Sequence, residues 1–129
     1  MKKGRLPLFL LLFFTGTLAV AGDIGKIAVG AEGETAEAAV SEVAARSPYF
    51  LIFDGTGALQ EAVANPYQDA RGGASSSVVP FLSQKGMAFF IAGDFGEKII
   101  RAMKDKNMDF LEFHGTAGEA LKKALETRR

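Results

Sequence analysis

Four short glycine-containing segments hold the residue types in this sequence that favour binding of a small ligand. Glycine allows the main chain to approach a ligand closely, and a helix that begins beside it presents N–H groups without partners. These N–H groups and the helix dipole attract negative charge, so the favoured ligand is a small anion. The candidate ligand-binding residues are Gly30, Glu32, Gly72, Gly73, Ser75, Gly93, Asp94, Gly96, Gly115 and Thr116.

Helix capping is the alternative explanation for several of the polar candidates. Asp94 and Thr116 each stand before a predicted helix, where a side-chain oxygen accepts a hydrogen bond from a free N–H group. Capping is the favoured explanation for both, and Ser75 with the two serines after it likewise marks a helix start. Glycines are also typical of turns between strands and helices, so the ligand-binding and the structural interpretations both stay open.

His114 is the only histidine in the sequence, and cysteine is absent. It is therefore the candidate metal ligand, although a solvent-facing or structural histidine is the favoured alternative. A stable metal site normally has three or four protein ligands, and the remaining donors are carboxylates such as those of Glu32 and Asp94. Carboxylates suit a hard cation, so the chain is a poor autonomous site for a thiophilic metal.

The sequence lacks the local motifs of common enzyme classes. It contains no G-x-S-x-G elbow, no P-loop, no G-x-G-x-x-G segment and no HExxH pair. The absence of cysteine also removes a thiolate nucleophile. We predict no catalytic residues and no enzymatic activity.

The N-terminus has the three parts of a secretory signal peptide. Lys2, Lys3 and Arg5 form a basic start, an apolar run covers 6–18, and small residues precede a cleavage site after Ala21. The apolar run is shorter than the roughly 20 residues of a membrane-spanning helix. We therefore expect residues 1–21 to be removed and the protein to be exported to the periplasm or outside the cell. The alternative is an uncleaved signal that acts as a membrane anchor, which would be the expected route to any membrane contact.

The remaining residues, 22–129, are enough for one domain with one core. Loss of three basic residues leaves 12 Lys and Arg against 15 Asp and Glu. A mildly acidic domain without a basic cluster is a poor nucleic-acid binder, so no nucleic-acid partner is expected. Disulfides are impossible without cysteine, and the 11 phenylalanines are expected to supply much of the core.

The positions of apolar runs, turns and prolines predict five strands and three helices. Strands are predicted at 26–31, 49–53, 58–64, 87–92 and 109–113, and helices from 72 to about 85, from 94 or 95 to 106, and at 117–126. The segment 32–46 has a weak helical pattern and is predicted as loop or irregular helix. Pro80 is unfavourable inside a helix, so the regular part of the first helix is expected to begin near Ser77.

The order of these elements predicts the architecture. The second and third strands follow a tight turn and should form an antiparallel hairpin, whereas the later alternation of helices and strands implies right-handed crossovers and parallel strands. The predicted fold class is α/β, with a mixed sheet and helices on both faces. Ligands of such sheets bind beyond the carboxyl ends of the parallel strands, where most of the candidate residues lie.

Several short runs occur in the order and spacing of a known family. They are Ser47-Pro48-Tyr49-Phe50-Leu51-Ile52-Phe53-Asp54, Asn65-Pro66-Tyr67, Gly72-Gly73-Ala74, Ile91-Ala92-Gly93-Asp94-Phe95-Gly96 and Gly115-Thr116. The pattern resembles the dinitrogenase iron–molybdenum cofactor family, small domains related to NifX, NafY and the C-terminal part of NifB. The resemblance implies a ribonuclease H-like three-layer fold, with a five-stranded mixed sheet, one antiparallel strand and helices on both faces.

The resemblance also implies a function. Characterised members bind iron–molybdenum cofactor or its iron–sulfur precursor without catalysis and pass it on, so the implied cofactor is an iron–molybdenum or iron–sulfur cluster. Relatives carry a Ser-x-Arg-Phe-Gly-Arg-like segment before the Pro-Tyr-Phe strand, of which this chain keeps Ser41 and Arg46. We therefore predict an exported, non-catalytic binding protein for a metal cluster or another small anion. The alternative is a structural or interaction domain with a protein partner and no small-molecule ligand.

Overall fold

A computed structural model of the chain describes residues 25–127. The predicted signal peptide, 1–21, lies outside the described residues. Over this range the strands are β1 (Lys26–Ala31), β2 (Tyr49–Phe53), β3 (Leu59–Ala64), β4 (Met87–Ala92) and β5 (Asp109–Glu112). The α-helices are α1 (Ala74–Gln84), α2 (Gly96–Asp105) and α3 (Ala117–Thr127), and a 3-10 turn covers Ala44–Arg46. None of the helices in this range has both the length and the apolar content needed to cross a membrane.

The five strands form one mixed sheet in the order β3-β2-β1-β4-β5. β1 pairs with β4, and β4 with β5, in parallel, whereas β2 runs antiparallel to both of its neighbours. β2 is thus the one antiparallel strand of this sheet, and the predicted five-stranded mixed architecture is confirmed. Since β1, β3, β4 and β5 run in the same direction, their carboxyl ends lie at one edge of the sheet.

The three central strands of the sheet, β2, β1 and β4, are buried on both faces, which explains why β2 is apolar on both sides. α1 and α2 cover one face, where the rings of Phe50 and Phe90 pack edge to face with centroids 5.7 Å apart. α3 covers the other face with Ala120 and Ala124. Phe50, Phe53 and Phe90 are among the largest fully buried side chains, so phenylalanine supplies much of the core, as predicted.

α1 differs from the sequence prediction, because its regular part begins at Ala74 rather than near Ser77. Pro80 therefore lies inside the helix, where it lacks the N–H that would bond to the carbonyl of Ser76. Ser76 is exposed, so water can replace the missing donor. Buried residues on both sides of the proline hold this helix against the sheet, and tertiary packing outweighs the local penalty.

Of the two predicted helix caps, the one at α2 is wrong and the one at α3 is confirmed. α2 begins at Gly96, its N-cap residue is Phe95, and no side chain caps it. The prediction that Asp94 caps this helix is wrong, because the helix begins one residue too late for the carboxylate to stand at the cap. At α3, the N–H of Glu119 donates to Thr116 Oγ1 at 3.2 Å, and the N–H of Thr116 donates to Glu119 Oε1 at 2.9 Å. This reciprocal capping box confirms Thr116 as a cap.

Candidate functional site

The candidate residues lie around the edge of the sheet where β1, β4 and β5 end, called here the carboxyl edge. Glu32 follows β1, Gly93 and Asp94 follow β4, and His114 lies between β5 and α3. α1 begins at the same edge, because it runs back along the sheet before the chain enters β4. The fold therefore brings all four glycine-containing segments to one side of the molecule.

A long connection between β1 and β2 crosses the carboxyl edge. Its residues 32–46, called here the strap, are hydrogen-bonded to the ends of β1 and β4. The N–H of Ser41 donates to the carbonyl of Gly30, and the N–H of Gly93 donates to the carbonyl of Ser41, both at 2.8 Å. The N–H of Ala44 donates to the carbonyl of Asp94 at 3.0 Å. The centre of the edge is thus covered by main chain.

Close packing beneath the strap explains why two of the candidate positions are occupied by glycine. A side chain on Gly93 would place its Cβ atom 2.9 Å from the carbonyl oxygen of Glu42. A Cβ atom on Gly30 would overlap the hydroxyl of Ser47, which is itself buried. Both glycines therefore permit close contact within the protein, and their contact with a ligand stays a prediction.

The strap also occupies the start of α3. The N–H groups of Ala117 and Gly118 donate to the carbonyls of Ala38 and Ala36, both at 2.8 Å. The next N–H along the helix is bonded within the capping box. Protein oxygens thus satisfy the positive end of this helix. The loop at Gly115 consequently stands beside a helix start that has no free N–H for an anion.

The start of α1 is open. Its N-cap residue is Gly73, with a φ of 77°, a left-handed conformation that glycine adopts without strain. No atom lies within 4 Å of the position that a Cβ would take on Gly72 or Gly73. Within residues 25–127, the N–H groups of Ala74 and Ser75 have no hydrogen-bond acceptor. This start retains both the donors and the space that an anion needs.

The start of α2 is open as well, but it carries negative charge. Gly96 has a φ of 75°, and no atom lies within 4 Å of the position of an added Cβ. The exposed carboxylates of Asp94 and Glu97 flank it along the chain. Lys98 balances one of these two charges, so α2 keeps one net negative charge, whereas Asp69 and Arg71 balance each other before the glycines of α1. Electrostatics therefore favours α1 over α2 as an anion site.

The loop that leads into α1 is fastened to the end of the strap. The buried Asn65 donates from Nδ2 to the carbonyls of Ala45 at 3.0 Å and Ser47 at 2.9 Å. Its Oδ1 accepts a hydrogen bond from the N–H of Tyr67 at 2.8 Å. Arg46 donates from Nη1 to two further carbonyls of the loop. The strap therefore contacts the approach to α1 without covering its first N–H groups.

His114 lies at the carboxyl edge without a set of metal ligands around it. Its Nδ1 is 3.4 Å from Oε2 of Glu42, and the two side chains are 70% and 72% exposed. In the described part of the chain, no group of three or more His, Asp and Glu residues is placed to hold a metal ion. Metal binding by His114 stays a prediction, and its exposure agrees with the solvent-facing alternative.

The pKa values of two side chains at the ends of β2, Tyr49 and Asp54, are shifted by their surroundings. The side chain of Glu34, in the strap, raises the pKa of Tyr49 by hydrogen bonding and by its negative charge. Asp54, in the β2–β3 turn, accepts hydrogen bonds from the Thr56 hydroxyl at 2.6 Å and from the Ala58 N–H at 3.0 Å. These bonds favour the ionised form and lower the pKa of Asp54.

Two open grooves lie away from the candidate residues. One, of about 300 Å³, is lined by α3 and the β2–β3 turn, including Gly57 and Leu121. The other, of about 400 Å³, lies beside β5 and includes Phe89 and Phe110. Neither groove contains a candidate ligand-binding residue, so the start of α1 stays the best-supported position.

Sequence reasoning missed the residues that make the helix starts different. Ala36 and Ala38 close α3 through main-chain carbonyls, and such bonds leave no signal in side-chain type. Arg46 and Asn65 entered only as parts of a family pattern. An asparagine directly before a proline favours a fixed turn, and that signal could have identified Asn65 as an anchor.

Comparisons with known proteins agree with this fold. A family model described as dinitrogenase iron–molybdenum cofactor matches residues 25–127. A candidate NifB protein from Thermotoga is 30% identical, with a TM-score of 0.68, over 81% of this chain and 90% of that chain. No curated protein matches the sequence.

Two further solved structures are similar in fold. The apo form of the orange protein from Desulfovibrio gigas is 24% identical, with a TM-score of 0.73, over 80% of this chain and 88% of that chain. A candidate dinitrogenase from Methanocaldococcus jannaschii is 14% identical, with a TM-score of 0.51, over 80% and 89% of the two chains. At these identities the likeness concerns the fold alone.

Proposed function

The chain belongs to the dinitrogenase iron–molybdenum cofactor family, and on this basis we propose that it is a non-catalytic protein that binds a metal–sulfur cluster or another small anion. The donors in the chain decide how such a ligand is held. With no cysteine and one histidine, the protein has too few soft ligands to ligate iron by itself. A cluster is therefore carried as preassembled cargo and held as an intact anion.

One observation carries this proposal: the start of α1 combines free N–H groups, open space and neighbouring positive charge. Ala74 and Ser75 supply the N–H groups, which have no acceptor among residues 25–127. Arg71 belongs to the approaching loop, and Arg46 is hydrogen-bonded to it. N–H donors, the helix dipole and guanidinium groups all favour negative charge.

Export is proposed from the N-terminal sequence. The basic start, the apolar run and the small residues Ala19 and Ala21 before the cleavage site are its support. Cell fractionation with mass analysis of the purified protein tests it. A mature chain that begins at Gly22 in the exported fraction supports export, whereas a full-length chain in the cytoplasm contradicts it. A full-length chain in the membrane fraction would indicate the anchor alternative.

Metal analysis with an absorption spectrum tests the binding function. The protein is purified without oxygen from its native exported fraction. Stoichiometric iron or molybdenum with a charge-transfer band is the expected result. A metal-free protein with a featureless spectrum, shown to be folded by circular dichroism, would count against the carrier role.

Variants of Gly72 locate the site. Gly72→Asp places a carboxylate at the open start of α1, and we expect loss of bound metal because negative charge repels the cargo. Gly72→Ala adds a methyl group where no atom lies within 4 Å, so it should retain metal. Gln84→Glu makes the same charge change at the far end of α1 and should also retain metal. Retention of metal by Gly72→Asp, or equal loss in all three variants, would contradict a site at the start of α1.

A protein partner is the second candidate function, and the open sheet edge favours it. β3 ends the sheet with six residues, and its Leu59 side chain is 42% exposed. An uncovered edge strand can pair with another chain. A colourless protein that co-purifies with one polypeptide, and loses it on Leu59→Lys substitution, would favour this function. Retention of the polypeptide by that variant would exclude β3 as the contact.

A further inference from the structure

We propose that Arg46 is a positioning residue for the ligand-binding start of α1, an inference that rests on the proposed function. Arg46 ends the 3-10 turn at the strap's end, and its Nη1 donates to the carbonyl of Gln68 at 2.9 Å and to that of Ala70. Its role is to fix the loop that presents the free N–H groups, rather than to supply charge alone.

The path from Asn65 to α1 shows why this contact matters. Asn65 fixes the beginning of the loop through three side-chain hydrogen bonds, and buried Ala74 fixes the first turn of α1. Between these points, Arg46 supplies the side-chain hydrogen bonds to the loop that the structure describes. Beyond Ala70 the chain is exposed for three residues before the helix begins. Arg46 is thus the last polar anchor before the binding N–H groups.

The chemistry of the contact favours arginine over lysine. One guanidinium nitrogen holds two carbonyls from residues two apart, which keeps the loop curled at that point. The guanidinium is planar and loses little freedom for each bond that it forms, whereas the ammonium group of lysine is a mobile point charge. Because Arg46 is exposed, its removal should alter the local order of the loop more than global stability.

Matched substitutions separate position from charge. Arg46→Lys keeps the charge and loses the planar guanidinium, and Arg101→Lys is the control at an exposed arginine of α2 with no described hydrogen bond. Hydrogen exchange of residues 68–75 and affinity for tetrathiomolybdate, a coloured molybdenum–sulfur dianion, are measured in both. Loss of one ordering contact predicts about tenfold weaker binding for Arg46→Lys with an unchanged thermal midpoint. Arg101→Lys should stay within about twofold of the unsubstituted protein.

The two readouts distinguish the possible failures. Faster exchange at 68–75 in Arg46→Lys, with Arg101→Lys unchanged, supports the positioning role. Unchanged exchange in Arg46→Lys overturns it, whatever the affinity. Loss of affinity in Arg46→Gln with no loss in Arg46→Lys also overturns it, because charge alone then matters. If the unsubstituted protein does not bind tetrathiomolybdate, the proposed anion function fails, and exchange alone decides the role of Arg46.

Discussion

The starts of α1 and α3 lie at the same edge of one sheet, and only one of them is open. Both follow glycine and both carry hydroxyl residues, so their sequences predict similar sites. At α3 the strap carbonyls of Ala36 and Ala38 take the positions that an anion's oxygens would fill, and Thr116 completes the cap. At α1 the strap contacts only the approaching loop. A helix start therefore becomes a binding site only when the rest of the fold leaves its N–H groups free.

Removal of the Asn65 side chain should have the largest effect, because it breaks the anchor that holds the open start in place. Asn65→Ala leaves the buried carbonyls of Ala45 and Ser47 without this donor, and we expect a loss of about 3 kcal/mol in unfolding free energy. Urea unfolding measures this. Gln68→Ala, at an amide whose side chain has no described hydrogen bond, should change stability by less than about 0.5 kcal/mol. Equal effects would show that Asn65 is not an anchor.

Substitution of Gly93 should loosen the closed start while leaving the open one intact. In Gly93→Ala the new Cβ would meet main-chain atoms of Glu42, which cannot rotate away, and we expect a loss of about 2 kcal/mol. Amide exchange at Ala117 and Gly118 should become faster as the strap shifts. The matched variant Gly72→Ala has open space and should stay within about 0.5 kcal/mol. A stable Gly93→Ala protein with slow exchange would contradict the close packing of the strap.

Loss of a helix-start hydroxyl should destabilise the protein at α3 but not at α1, and by less than the substitutions above. Thr116→Ala removes the acceptor of the Glu119 N–H, and we expect a loss of about 1 kcal/mol, read from thermal unfolding. Ser75→Ala is the counterpart at α1, where the hydroxyl makes no described bond, and its effect should be within a few tenths of a kcal/mol. The comparison fails if Ser75→Ala destabilises as much as Thr116→Ala.

Acid should weaken the β2–β3 turn, which is remote from both helix starts and serves as a reference. Hydrogen bonds lower the pKa of Asp54 below its ordinary value of 3.8. The ionised carboxylate therefore adds stability above pH 3.8, and this contribution disappears as the pH falls through the lowered pKa of the folded state. The difference in thermal midpoint between the unsubstituted protein and Asp54→Asn should shrink below pH 3. A constant difference from pH 6 to pH 2 would contradict this assignment.

The strands and helices were predictable because their signals are local. Tyr49–Phe53 is apolar on both faces, and the structure has a strand over the same residues. The order of elements also predicted the mixed sheet. The start of α1 was predicted too late because Pro80 is unfavourable inside a helix, whereas packing against the sheet overrides this local penalty.

The site was harder to predict, because its geometry depends on main-chain contacts between distant segments. The capping pattern at Thr116 was readable from its own segment, whereas the closure of α3 by Ala36 and Ala38 was not. Asp94 was misassigned because a shift of one residue in a helix start changes which side chain can cap it. The contact of Arg46 with the loop joins segments more than 20 residues apart, and no local pattern records it.

The strap has a further consequence for the order in which the molecule folds. Its bonds to α3 join residues 36 and 38 to residues 118 and 117, which lie near opposite ends of the described chain. Contacts of such sequence separation form only after a large loss of chain entropy, whereas the β2–β3 hairpin closes over a few residues. We expect the hairpin to be native-like early and the strap–α3 junction to form among the last contacts. In the proposed export, a chain still emerging from the channel would therefore lack this junction until its C-terminal helix had followed.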